Sequence, residues 1–183
     1  MTSLRSAYAT FLFLTALFWV LPAWSAPLQP EAEQVKSAII INMARYVDWP
    51  ADAFSSESTP LTICTPGRGR LATALESLQG KVVKGQPVLV RHLGSSSELT
   101  GCHLLVLGSE DRRLIAPLLD KARRLPILTI GDLPGFSREG GMVELLLQDG
   151  KVRFDINLGA ARQSRLKFSS QLLKVARTVL GDH

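Results

Sequence analysis

A basic turn followed by two serines carries the strongest chemical signal in this 183-residue chain. Arg162, Arg165 and Lys167 run into "FSSQLLKVA", where Ser169 and Ser170 open a helical pattern. Ser169 suits the N-cap, its side chain accepting from backbone N–H groups two or three residues on. Phe168 before the cap and Leu173 at the fourth helical position would form a hydrophobic staple. Leu172, Leu173, Ala176, Val179 and Leu180 supply an apolar stripe behind it. Capping accounts for the serines but not for the cations beside them. Free N–H groups and the helix dipole favour an anion at such a terminus. Lys167, Ser169 and Ser170, with Arg162 and Arg165, are therefore a candidate site for a carboxylate or phosphate. Tyr46 and Trp49 offer aromatic surface to wall it, so a small anionic or aromatic ligand is expected.

Other chemical signals are weaker. His92, His103 and His183 lie far apart, and none has metal-ligand spacing with another His or Cys, so no metal site is expected. "GFSREG" is one residue too long for a nucleophile elbow and precedes a hairpin pattern, so it reads as a loop. "GRGRLA", Gly67 to Ala72, matches a dinucleotide fingerprint between a strand and a helix. The acidic ribose-binding residue is missing, since Arg91 and His92 stand at the end of the next strand. It reads instead as a glycine-rich turn capping a helix. No paired carboxylates stand at a readable spacing. The chain is expected to be non-catalytic and to need no cofactor.

The first 25 residues read as an address. Phe11 to Leu21, "FLFLTALFWVL", is an apolar run too short to span a bilayer comfortably, and Pro22 and small residues follow. These are the regions of a secretory signal peptide, with cleavage near Ser25 or Ala26, and export is expected. An uncleaved membrane anchor is the alternative. The remaining residues, 26–183, have the size of one domain. The formal charge of +5 drops by one with Arg5. A basic exported protein is a poor nucleic-acid candidate, because its compartment lacks that partner; acidic surfaces or anionic small molecules suit it better. Two cysteines, Cys64 and Cys102, are not spaced C-x-x-C, which gives no support for a thioredoxin-like enzyme. Export and the even count suit a disulfide, with two separately buried thiols as the alternative.

The elements expected to carry these residues alternate. Residues 31–47 read as a helix with Val35, Ala38, Ile39, Asn42, Met43, Tyr46 and Val47 on one broad face, widened by Ile40 and Ile41 so that burial on more than one side is expected, and ended by Trp49-Pro50. Strands are expected at 60–64, 86–93, 102–107 and 126–130, with helices at 71–78 and 110–124. That order predicts an α/β fold: one domain with a mostly parallel sheet flanked by helices. Residues 142–147 and 151–156 are expected as an antiparallel hairpin at one edge, turning at Asp149-Gly150. A helix begins near Asn157. The hairpin's polar face is expected to expose Glu144, Arg153 and Asp155 as a candidate partner surface, since sheet edges invite recognition.

Several blocks then carry a resemblance: "VKSAIIINMARYVDWP", "LTICTPG", "GCHLLVLG", "PILTIGD" and "GGMVELLLQDGKVRFDINLGAARQSRLKFSSQLLKVA", in this order and spacing. They resemble the YfiR/HmsC-like family of exported proteins from about Val35 to Val179. The resemblance implies an α/β fold with a disulfide, matched in position by Cys64 and Cys102. It implies a periplasmic repressor that binds the periplasmic region of an inner-membrane diguanylate cyclase, lowering cyclic-di-GMP and biofilm formation. It further implies release by an OmpA-like outer-membrane lipoprotein. A homodimer is a further possible assembly. A second disulfide of some members would fall around Gly135–Glu144, where this chain has no cysteine. A small-ligand sensor acting with another membrane signalling protein is the alternative reading.

Overall fold

The computed structural model describes residues 32–56, 58–94 and 98–181. The expected leader, residues 1–25, lies outside the described residues. Helix α1 (Ala32–Ala44) leads into a short strand β1 (Val47–Asp48). Strand β2 (Leu61–Thr65), helix α2 (Arg70–Glu76), strands β3 (Val82–Val83), β4 (Gln86–His92) and β5 (Leu104–Leu107) follow. A 3-10 turn, Ser109–Leu114, enters α3 (Ile115–Ala122), and β6 (Leu128–Gly131) comes next. The hairpin β7 (Val143–Gln148) and β8 (Lys151–Asn157) precedes α4 (Leu158–Gln163), β9 (Lys167–Phe168), α5 (Ser170–Val175) and β10 (Thr178–Leu180).

Eight strands form one sheet in the order β10-β8-β7-β6-β5-β2-β4-β3, and β1 pairs with β9 in a separate ladder. Every pair from β4 through β2, β5 and β6 to β7 is parallel, as expected; β7–β8 and β3–β4 are antiparallel. The hairpin turn takes φ 51° at Asp149 and 69° at Gly150. These left-handed values match the twist of the flanking strands, which is why this dipeptide marks the hairpin. The hairpin lies at one end of the sheet, and β10 pairs in parallel outside β8. The sequence pattern had absorbed residues 178–180 into the last helix. Instead α5 ends at Val175, Ala176 turns extended at ψ 142°, and the chain takes the open backbone edge of β8.

The core divides between the two faces of the sheet. Leu61, Ile63, Leu104, Val106, Leu128, Ile130, Val143, Leu145 and Ile156 pack with α1 and α2 on one face. Cys64, Leu105 and Leu107 pack with α3, Leu133 and Phe136 on the other. Strand β5 serves both, which is why "LLVL" is apolar throughout. Phe136 lies so close over Gly131 and Gly141 that a Cβ on either would fall 2.3 or 2.1 Å from its ring. In α1 Ile40, Ile41 and Met43 are buried, as expected; the correction is that Ala38, Asn42 and Tyr46 are exposed while Lys36 and Ser37 are buried. Lys36 tolerates burial because its ammonium donates to Asp132 at 2.5 Å and to Glu33 at 3.1 Å. Burial would lower its pKa, but these two carboxylates outweigh that and hold it above its ordinary value.

Candidate binding groove

The hairpin places Glu144 and Asp155 directly opposite one another, and Leu146 opposite Arg153, on a single face. The polarity of that face was legible; its burial was not. Arg153 is exposed, but Glu144 and Asp155 are 7% and 6% exposed, which corrects the expected open surface. The cause is tertiary. The loop after β6 folds over Glu144, which accepts from the N–H groups of Gly135 and Ser137 at 3.0 and 3.1 Å and from Ser137 Oγ at 2.7 Å. Asp155 is held by Arg177, whose Nε donates to Oδ1 at 2.8 Å and whose second nitrogen donates to Oδ2. The Arg177 guanidinium lowers the Asp155 pKa, with burial opposing and Thr178 and Arg138 assisting. Between the Asp132–Arg138 loop and β10 lies a groove of about 460 Å³ floored by this face.

The expected anion site is partly assembled. Ser169 is the N-cap of α5, its Oγ accepting from Leu172 N–H at 3.3 Å. Pairing of β1 with β9 sets Lys167 opposite Asp48, and Ser169 N–H donates to Tyr46 O at 2.8 Å. The aromatic segment and the serines therefore meet, through backbone. The cations diverge. Arg165 pairs with Asp52 at 3.0 Å, and Arg162 donates to Gly181 O at 2.9 Å. Lys167 and Ser170 are exposed, and α5 has only six residues. Trp49 packs edge-on to Phe54, with centroids 6.1 Å apart. Both line a cleft of about 240 Å³ with Ala44, Asp48, Lys84 and Gln86, not with Lys167, Ser169 or Ser170.

The switch point between β2 and β5 is where an open parallel sheet binds ligands. Here it is filled by the chain's own carboxylates. A Cβ on Gly67 would fall 2.6 Å from Asp111, and one on Gly69 2.6 Å from Glu110. Asp111 accepts from Gly108 N–H at 2.8 Å; burial, reinforced by Glu110, raises its pKa against that bond. These carboxylates would repel a pyrophosphate. Gly69 is the N-cap of α2, so the "GRGRLA" segment is the helix-capping turn read from the sequence.

Cys64 and Cys102 are joined in a disulfide with Cα atoms 5.8 Å apart, bridging β2 to the entry of β5. Arg91, register partner of Cys64, points its guanidinium at both sulfurs, 3.3 Å from Cys64 and 2.9 Å from Cys102. Sequence reasoning missed this contact, together with the aromatic clasp beside it. Phe54 stacks on His103 at 4.2 Å and 8°. His103 Nδ1 accepts from Thr62 N–H at 3.1 Å, and Nε2 donates to Ala53 O at 3.1 Å.

Fold and groove together define an α/β protein built on one main eight-stranded sheet, with a groove at its antiparallel end. The family model described as YfiR/HmsC-like matches residues 33–177, and the chain belongs to that family. The family is a regulatory one, in general of periplasmic proteins that act on diguanylate cyclases. No helix among the described residues is long and apolar enough to cross a membrane.

Proposed function

We propose that this protein is a non-catalytic periplasmic repressor. It binds the periplasmic sensor region of an inner-membrane diguanylate cyclase, lowering cyclic-di-GMP output and biofilm formation. An OmpA-like outer-membrane lipoprotein relieves repression by sequestering it. The family match over residues 33–177 is the observation that carries this reading. The hairpin face supports it, because a groove lined by exposed Arg138 and by Leu146 and Leu180 offers a partner both polar and apolar contacts. The test is direct. The chain, residues 26–183, is mixed with the periplasmic segment of an inner-membrane diguanylate cyclase from the same organism, and complex formation is followed by calorimetry. Deleting the gene should raise cyclic-di-GMP in a reporter strain. Absence of both effects would overturn the repressor reading.

A small-ligand sensor is the second reading. One observation favours it: Trp49 Nε1, a buried donor without a hydrogen-bond partner among the described residues, belongs to a residue that lines the Trp49/Phe54 cleft. Lys167, Ser169 and Ser170 remain candidates for its anionic end. Calorimetry of periplasmic aromatic acids against wild type and Lys167→Ala separates the two readings.

A further inference from the structure

The second face of the sheet is unevenly covered. Under β5 it meets α3, Leu133 and Phe136. Toward β7, β8 and β10 it opens into the groove, whose lining includes no helix residue. The anions in this groove are matched from inside the chain. Glu144 takes three donors from Gly135 and Ser137, and Asp155 takes the Arg177 fork.

What remains exposed is cationic. Arg138 stands exposed on the lining loop, and its charge reaches Asp155. Arg153 lies two residues before Asp155 on the same face, exposed, with no hydrogen-bond or ion-pair partner among the described residues. Arg177 is bound on one side only, its side chain 44% exposed. Apolar surface adjoins these cations. Leu146, opposite Arg153 in register, is half-buried, and Leu180 lines the groove from β10. A patch whose own carboxylates are satisfied and whose exposed charges are guanidinium groups favours a carboxylate ligand, which arginine binds in a bidentate fork.

We propose that the groove between the Asp132–Arg138 loop and β10 receives an extended acidic segment of a partner protein. Its Asp or Glu side chains pair with Arg138 in the groove and with Arg153 beyond Asp155 on the same face, and adjoining apolar side chains rest on Leu146 and, further along, on Leu180. Successive residues of an extended chain point to opposite faces, so alternate positions of the segment would enter the groove. This rests on the partner-binding reading above and names the chemistry of the partner's contact segment.

The probe is a library of short random peptides displayed on phage and selected against the purified chain, residues 26–183. Selected peptides should be enriched in Asp or Glu beside an apolar residue. By fluorescence anisotropy they should bind the Arg138→Glu/Arg153→Glu variant about tenfold more weakly or worse, and lose affinity as salt rises. An unchanged thermal midpoint confirms that the variant is folded, as expected for two exposed side chains. The proposal is overturned if no peptide is enriched, if enriched peptides lack acidic residues, or if the variant binds them unchanged. Self-association that the double variant abolishes would overturn it too, giving the groove to a second copy of the chain. Peptide binding without binding of the cyclase segment would remove the cyclase reading alone. The reverse result would remove only the groove chemistry.

Discussion

Glu144 and Asp155 sit opposite one another across the hairpin, and both are buried. Two carboxylates placed side by side repel unless each has its own donors. The chain supplies them separately, from the 135–137 loop for Glu144 and from Arg177 for Asp155. Arg177→Met leaves Asp155 buried beside a second anion. The thermal midpoint should fall further than for Arg153→Met, which removes an exposed side chain with no partner among the described residues. Equal midpoints would show that the Arg177–Asp155 pair contributes nothing to stability.

The Asp155 pKa sets a pH window for the same contact. It is lowered from an ordinary value of 3.8, chiefly by the Arg177 hydrogen bonds. A depressed carboxylate stabilises the fold above its unfolded pKa and loses that contribution as pH falls through its folded pKa. Wild type should therefore lose stability below about pH 4, and Arg177→Met should lose less over that range. Denaturant midpoints across the acid range give the comparison.

His103 has the opposite charge type but the same sign of pH dependence. Burial lowers its pKa below 6.5, against the Ala53 hydrogen bond. Protonating Nδ1 would set two donors, imidazolium and Thr62 N–H, against each other. The folded state thus favours neutral imidazole, while the unfolded chain takes up a proton near its ordinary value. Stability from this group is complete above pH 6.5 and declines below it, toward the depressed folded pKa. Wild type should weaken from pH 7 to pH 5, and His103→Gln should flatten that slope. A ring titration by NMR at or above 6.5 would contradict the clasp.

The Phe136 contact predicts a steric cost. Gly131 and Gly141 do not have positive φ, so space alone excludes a side chain there. Gly131→Ala or Gly141→Ala should each cost about 1–3 kcal/mol by overpacking. Urea unfolding measures it, and the additional change Phe136→Leu should restore part of the loss.

How far the sequence was legible follows the range of the interactions. "CHLLVL" and Asp149-Gly150 declare a buried strand and a tight turn through local chemistry, and both stand in the fold. Lys36 reads as a solvated position because its partner Asp132 is 96 residues away. Asp155 reads as exposed because Arg177 and β10 cover it from beyond three further elements. Residues 178–180 carry a helical apolar spacing, but the edge of β8 offers them strand pairing. Arg162 and Arg165 converge on Ser169 in sequence and diverge in space, because Gly181 and Asp52 claim them.

The disulfide divides local from global stability. It closes a separation of 38 residues, so replacing both cysteines by alanine should cost about 4 kcal/mol on the chain-entropy model. Thiol labelling of the denatured, unreduced protein should find no reactive thiol. Two reactive thiols would leave Cys64 and Cys102 as separately buried residues.

Ser169 decides how much of the opening signal belongs to folding. Its hydroxyl caps α5 and its N–H binds Tyr46 O, so it joins the last helix to the segment that carries Trp49. Ser169→Ala removes only the cap and should cost about 1 kcal/mol. Ser170→Ala, at an exposed position after the cap, should cost much less. Lys167→Ala removes an exposed cation and should leave the midpoint nearly unchanged. If chemical denaturation gives Lys167→Ala a loss as large as that of Ser169→Ala, the lysine is part of the structural joint. If only Ser169 matters for stability, Lys167 is left for binding, and the calorimetric comparison with wild type becomes the test of an anion site.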